Sequence, residues 1–328
     1  MSRSHRLTAA VLSAALVLTA LAGCSSEPDG EDGDSISAEP SPIVIGTLPT
    51  EDALPLWVAE QEGVFEDAGL EVEIITFQAA QERDTAFASG AIDAFMGDII
   101  AAANLEAAGS PVTLATVMLG QTPAEGRFGI VAASDTDYES LQDLAGVPIG
   151  TSAASIQEYV VDGLMAEAGV PADAVAKEIV PKVPVRFELL MSGQIEAAAL
   201  PEPLLSLAEL QGARVLADDT GGGNLTQTVL GVSDKYLAQP GGMIAVSAVL
   251  DAWDEAVAIV NGEPSAYRGL LVEKAKLPEP LKESYAVNTY PVAAPPSRAM
   301  VDPVLQWMAS KDLLQAEVTY DDLVQELP

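Results

Sequence analysis

From residue 43 onward the chain alternates between short apolar runs and longer stretches with helical spacing. Residues 43–48, 72–77, 92–95 and 112–119 read as buried strands, and the periodic segments between them stop near Gly69, Gly90 and Gly109, as helix C-termini do. A polar loop over 120–127 precedes an apolar run at 128–132, which reads as a strand crossing into a second lobe. There the strands fall at 147–150, 175–180, 197–200 and 214–217, with a helix over 156–168. Gly221-Gly222-Gly223-Asn224 is a return, and residues 225–232 are apolar and β-branched enough for the strand that crosses back. Helical spacing then covers 243–260, 265–276 and 297–309, with Trp253 and Trp307 on faces expected to be buried.

The same unit occurs twice. Ile45-Gly46-Thr47 matches Ile149-Gly150-Thr151, Asp67-Ala68-Gly69-Leu70 matches Glu167-Ala168-Gly169-Val170, and Ser89-Gly90-Ala91-Ile92-Asp93-Ala94 matches Ser192-Gly193-Gln194-Ile195-Glu196-Ala197. Three matches in one order predict two similar lobes, each a parallel sheet covered by helices, with a cleft between them. The expected division is residues 43–130 with 226–328 in lobe 1 and 131–225 in lobe 2.

With 328 residues, 49% of them apolar, the chain can fill one large core or two moderate ones. Its start differs from the rest. Residues 1–23 carry Arg3 and Arg6 ahead of an apolar run over 7–21 that is short for a membrane span. They end in Leu21-Ala22-Gly23-Cys24, which resembles a bacterial lipoprotein signal, implying that Cys24 is lipidated and becomes the mature N-terminus. Residues 24–42, rich in Glu, Asp, Gly, Ser and Pro, are expected to be a flexible acidic tether.

The formal charge is −34, and without Arg3 and Arg6 it becomes −36, 13 basic residues against 49 acidic. That excludes nucleic acid as a partner, because phosphate binding needs basic surface. The chain holds one histidine, His5, and one cysteine, Cys24, both at the leader. General acid–base chemistry by histidine, a cysteine nucleophile and a His/Cys metal site are then unavailable to the mature chain, so neither an enzyme nor a metal or other cofactor is expected.

In an open parallel sheet a ligand lies beyond the carboxyl ends of the strands. The turn after residues 43–48 offers Thr50, Glu51 and Asp52, the turn after 92–95 offers Gly97 and Asp98, and the loop near the hinge offers Gln121, Thr122 and Arg127. In the second lobe, strand 147–150 feeds a helix whose first N–H groups lack intrahelical partners, so Thr151, Ser152, Ala153 and Ser155 can hold an anionic or polar group. Arg186 opens a helix beyond strand 175–180, and Glu202 leaves strand 197–200 between Pro201 and Pro203. Plainer roles stand beside these. Thr50, Glu51, Asp52, Ser152 and Ser155 all suit helix caps or first turns, and Arg186 has Glu178 and Glu188 in reach for a surface pair.

Residues 55–65 (PLWVAEQEGVF) with Ala68-Gly69-Leu70, then Ser89-Gly90-Ala91-Ile92-Asp93, residues 141–151, and Ser192-Gly193 through Glu202-Pro203 carry a family likeness. From Ile43 to the end, closing helices included, their order resembles the solute-binding proteins of ABC importers, in the SsuA-like branch that includes binders of aliphatic sulfonates, taurine, nitrate and thiamine-pyrimidine precursors. The resemblance implies an α/β two-lobed periplasmic-binding-protein fold of type II, two Rossmann-like lobes joined by two crossing strands. It implies a monomer held outside the cell membrane by its lipid, which delivers a small solute to a membrane permease driven by a cytoplasmic ATPase. Its binding segments fall on residues 48–52, Gly97 and Asp98, residues 151–155, and Glu202. Leu200 and Pro201 stand where relatives often carry a large aromatic, so no flat stacking platform is expected at that wall. The ligand expected is a small polar or zwitterionic organic molecule. A module that presents its ligand to a membrane sensor, and an enzyme on the same fold, are the alternatives.

Overall fold

Each of the two sheets in this protein takes its fourth strand from the far side of a connector. The computed structural model describes residues 39–222, 224–325 and 327. The first sheet is built from β1 (Ile43–Thr47), β2 (Val72–Thr76), β3 (Ala94–Asp98) and β4 (Val112–Leu119), and the second from β5 (Phe128–Ala132), β6 (Ile149–Thr151), β7 (Lys177–Ile179), β8 (Ala197–Pro201) and β9 (Arg214–Asp218). β10 (Thr228–Ser233) returns to the first, giving the orders β2-β1-β3-β10-β4 and β7-β6-β8-β5-β9. In both, four strands run parallel and the one in fourth place is antiparallel to its two neighbours, with Leu230 opposite Met96 and Ile130 opposite Ala199. The repeat in the sequence is therefore a repeat of topology.

Residues 128–132 and 225–232 were expected to cross between the lobes, but β5 and β10 each lie wholly inside one sheet. The crossings are the loops ahead of them, at 120–127 and 219–227, because paired strands satisfy their backbone groups within a sheet and cannot also span a gap.

The helices are α1 (Leu54–Gln61), α2 (Val64–Asp67), α3 (Ala80–Ser89), α4 (Ile99–Ala107), α5 (Ile156–Glu167), α6 (Val183–Met191), α7 (Leu204–Leu210), α8 (Asp234–Leu237), α9 (Gly242–Gly262), α10 (Arg268–Lys274), α11 (Arg298–Ser310) and α12 (Tyr320–Leu323). The single helix expected after β1 is broken into a 3-10 turn (Glu51–Ala53), α1 and α2, with Gly63 left-handed at the second break. The stretch expected to be helical over 265–276 divides likewise into a 3-10 turn (Pro264–Tyr267) and α10.

On one face of the first sheet α1 and α9 bury Leu54, Trp57, Val249 and Trp253; on the other α4 and α11 bury Ile99, Val301 and Met308 around Phe95. In β8, Ala197 and Ala199 face α5 while Ala198 and Leu200 face α6 and α7, so a strand covered on both sides reads as one apolar run. Trp253 is core, as expected, with its Nε1–H donated to Pro291 O at 3.0 Å. Trp307 is only half-buried and donates to Asp162 of α5 at 2.9 Å, with its ring edge-on to Tyr159. Cys24 and the leader lie outside the described residues, as does Gly223 of the expected return. Among the described residues no helix is long and apolar enough to cross a membrane.

Candidate functional site

A cavity of about 320 Å³ lies between the carboxyl ends of the parallel strands of the two sheets. Its first-lobe wall is the turn after β1, the end of β3 and the start of β10. Thr50, Glu51 and Asp52 line it, with Gly97, Asp98 and Thr228 beside them. Thr50 Oγ1 donates to Asp52 Oδ2 at 3.1 Å, and Asp98 caps α4 by accepting the Ala101 N–H at 2.8 Å. All three carboxyls are raised above their ordinary ionisation. Burial, with Asp52 next to it, pushes Glu51 up to about 8 against the lowering bond from Tyr285. Burial likewise raises Asp52 to about 6 and lifts Asp98, although Ala101 N–H and Arg83 pull Asp98 back.

Glu51 is clamped from behind. Tyr285 O–H donates to its carboxylate, and Tyr290 O–H donates to its main-chain oxygen at 2.8 Å. Both tyrosines come from the chain after α10, a region whose sequence gave no sign of a role in the cleft.

The second-lobe wall carries Phe128, Ser155, Ile156, Gln157, Pro201 and Glu202. Arg127 sits on the connector and lines the cavity with them. Its guanidinium is paired through Nε, at 2.7 Å to Asp218, and through Nη1, at 3.1 Å to Glu209 and 3.5 Å to Glu202. Burial opposes the Arg127 charge, but the bonds to Asp218 and Glu209 outweigh it and raise its pKa. Glu202 is raised by burial despite accepting from Ser206 at 2.8 Å and facing Arg127. Gly126, Arg127 and Glu202 also line a second, more open cavity of about 530 Å³ on the far side of this ion pair.

Of the residues singled out in the sequence, Thr50, Glu51, Asp52, Gly97, Asp98, Arg127, Ser155 and Glu202 converge on the cavity. Six do not. Gln121 and Thr122 bond within their own loop, where Gln121 N–H and Thr122 Oγ1 both donate to Glu125. Thr151 is fully buried inside β6, and Ala153 faces solvent in the turn that follows. Ser152 is not a cap; it donates to Pro181 O at 3.0 Å and accepts from Arg186 at 3.2 Å. Arg186 faces neither cleft nor surface. It is wholly buried, donating to Ala199 O at 2.8 Å and Val180 O at 2.7 Å, so it ties β8 to the end of β7.

Of the helix-start segment over 151–155, only Ser155 reaches the cavity. It caps α5, taking the Glu158 N–H at 3.5 Å and donating to Ser152 O at 2.7 Å, so the residue that lines the cavity is also the cap.

Of the lining residues that were missed, three bear on the chemistry of the site. Arg83 is the counterpart of Arg186, 103 residues earlier, the same interval that separates Ser89 from Ser192, so the repeat could have found it. In the first lobe the equivalent of Leu200 is Gly97, where an added Cβ would stand 2.9 Å from Arg83 Nη1; that missing side chain lets Arg83 reach the cavity. Arg83 is nonetheless paired, at 2.6 Å to Asp84 and 2.6 Å to Met96 O. Phe128, opposite Pro201 in the β5–β8 ladder, gives this wall the aromatic that Leu200 and Pro201 do not. Gln157 follows the cap of α5, and nothing in its sequence position marked it.

Two α/β lobes with matching sheets, joined by two connectors over a cleft walled by strand ends and helix starts, define a periplasmic-binding-protein fold. The periplasmic aliphatic sulphonate binding protein SsuA from Escherichia coli shares it at a TM-score of 0.75 and 21% identity, over 88% of this chain and 94% of that one. The alkanesulfonate-binding protein SsuA from Xanthomonas axonopodis pv. citri, bound to MOPS, gives 0.70 and 21% over 86% and 97%. The desulfurization enzyme DszB gives 0.64 and 19% over 87% and 97%. No curated protein gives a match. The model of the NMT1/THI5-like family matches residues 50–266, and the chain belongs to that family.

Proposed function

We propose that this protein is the extracytoplasmic solute-binding component of an ABC importer, and that its cleft takes a small organic molecule rich in cationic or N–H donor groups. One observation carries the ligand class. Four carboxyls, Glu51, Asp52, Asp98 and Glu202, line the cavity, while its two guanidiniums, Arg83 and Arg127, are each already paired with protein carboxylates. A simple anion would meet this field unfavourably, whereas an amine or an amino-substituted ring would satisfy the carboxyls. A zwitterion such as taurine would set its ammonium against Glu51, Asp52 and Asp98 and its sulfonate at the start of α5, near Ser155 and Gln157. A planar aminopyrimidine would lie against Phe128.

The reading is of capture rather than catalysis, since a mature chain without histidine and with Cys24 at its lipidated start holds neither a histidine base nor a free thiol. The lipid on Cys24 would keep this monomer at the membrane, where the lobes close over the solute and present it to the permease.

The test is a thermal-shift series on the purified soluble domain, stripped of ligand under denaturant and refolded, with taurine, 4-aminopyrimidine, methanesulfonate and nitrate. A ligand at about 100 times its Kd adds about 2.7 kcal/mol, a shift of several degrees. Stabilisation is expected from the amine-bearing compounds. A response to methanesulfonate or nitrate with none to either amine would end this assignment.

A further inference from the structure

We propose that Glu51 is the specificity-determining acceptor of the cleft: its carboxyl carries a proton in the empty protein and loses it to solvent when a cationic group docks. The inference rests on the reading of the cleft as a site for amine-bearing ligands.

Its basis is the set of groups that face Glu51. From its own turn comes Asp52, from the β8–α7 turn Glu202, and from the chain after α10 Tyr285, Asn288 and Tyr290. None is a cation. Two are carboxyls, and the guanidiniums of the cleft are bound to Asp84, Glu202, Glu209 and Asp218. Glu51 is only 7% exposed, so water does little to carry an ionised carboxylate there. Burial and the neighbouring carboxyls hold the proton on Glu51 to about pH 8. The empty cleft thus cancels part of its own charge with a proton, and a ligand cation does the same work by replacing it.

The exchange balances simply. The O–H bond of Glu51 breaks, the proton leaves to water, and the carboxylate accepts N–H bonds from the ligand, so one positive charge enters as one leaves. Tyr285 O–H stays on the carboxylate throughout. Asn288 Nδ2, buried with no hydrogen-bond partner among the described residues, is a donor in place for the ionised form. A neutral ligand gains nothing from the exchange, and an anion leaves the proton where it is, so Glu51 sorts solutes by charge. For a cation, affinity rises about tenfold per pH unit below about pH 8 and levels off above it.

Two measurements test this. Infrared difference spectra of the ligand-free protein should show a protonated-carboxyl band at neutral pH that titrates near pH 8 and is missing in Glu51→Gln. In Tyr285→Phe, which loses the bond that favours the ionised form, the band should remain and titrate higher. Calorimetry with taurine, in buffers of different ionisation enthalpy near neutral pH, should give close to one proton released per taurine bound in the wild type and none in Glu51→Gln. A band unchanged by both substitutions, or taurine binding without proton release, overturns the proposal. If taurine and 4-aminopyrimidine both fail to bind while the band behaves as expected, the cationic ligand and its exchange are lost, and only the protonated acceptor stands.

Discussion

Arg83 and Arg186 stand at equivalent places in the two lobes, yet Asp84 follows the first and Phe187 the second. Arg83 therefore has a counter-ion and reaches the cleft, whereas Arg186 is a buried charge held, among the described residues, by two carbonyls and the Ser152 hydroxyl. Burial lowers its pKa to about 10, which still leaves it charged at neutral pH. Arg186→Met should leave those acceptors stranded and cost about 3 kcal/mol or more in urea unfolding; a cost under about 1 kcal/mol would show that Arg186 is not the tie described. Glu51 bears on stability. Its pKa is raised in the folded protein, to about 8 from 4.5, so between those values the folded state holds a proton that the unfolded chain has released. Stability from this group falls as pH climbs through that window and stays low above it. Glu51→Gln removes the penalty, so the variant should gain on the wild type by a few kcal/mol between about pH 5 and about pH 8. Parallel melting curves at the two pH values would contradict this.

Among the elements, the connectors and the α5–α11 contact decide how the lobes are held. Gly120 has φ +87°, and a Cβ there would stand 2.8 Å from Thr226 O of the other connector. Only glycine lets the two crossings lie this close. Gly120→Ala should cost about 1–3 kcal/mol from backbone strain and the forced separation, read as a lowered urea midpoint, and a neutral result would remove the close approach from the account. Farther along, α11 packs on the first lobe while Trp307 and Lys311 reach Asp162 of α5, at 2.9 Å and 2.7 Å, and Lys177 joins the same cluster. Burial would raise Asp162, but Lys177, Lys311 and Trp307 outweigh it and hold its pKa low. Asp162→Ala leaves the indole N–H without its acceptor and the two lysines with Glu158 alone; a loss of about 1–3 kcal/mol is expected, discounted toward the lower end because the group is partly exposed. The loss should shrink as pH falls below the ordinary aspartate range, where the wild type protonates too. A loss that persists unchanged in acid would point to packing instead.

At the scale of the whole molecule the formal charge of −34 works against compactness. Screening relieves that repulsion, so Tm should rise as salt is brought from low to about 0.15 M, where the Debye length is about 8 Å. The affinity of a cationic ligand should fall over the same range, because the acidic surface no longer draws it in. A Tm that drops or stays level with added salt would mean that local pairs, not net charge, govern the balance.

Periodicity and the repeated Gly-turn signals were enough to determine two α/β lobes, the strand ends where a ligand could sit, and Glu51, Asp52, Asp98 and Glu202 as cleft groups, because each follows from which end of a strand a turn leaves. The tertiary structure alone decided which side chains arrive. Thr151 and Arg186 lie within a few residues of the cleft but point into the sheet, since alternation along a strand and the room left by Gly97 or filled by Leu200 set direction, and single-chain patterns carry no record of what fills the opposite wall. Tyr285 and Tyr290 come to Glu51 from more than 230 positions away, a meeting that depends on how the last third of the chain folds back over the first sheet and that no local spacing encodes.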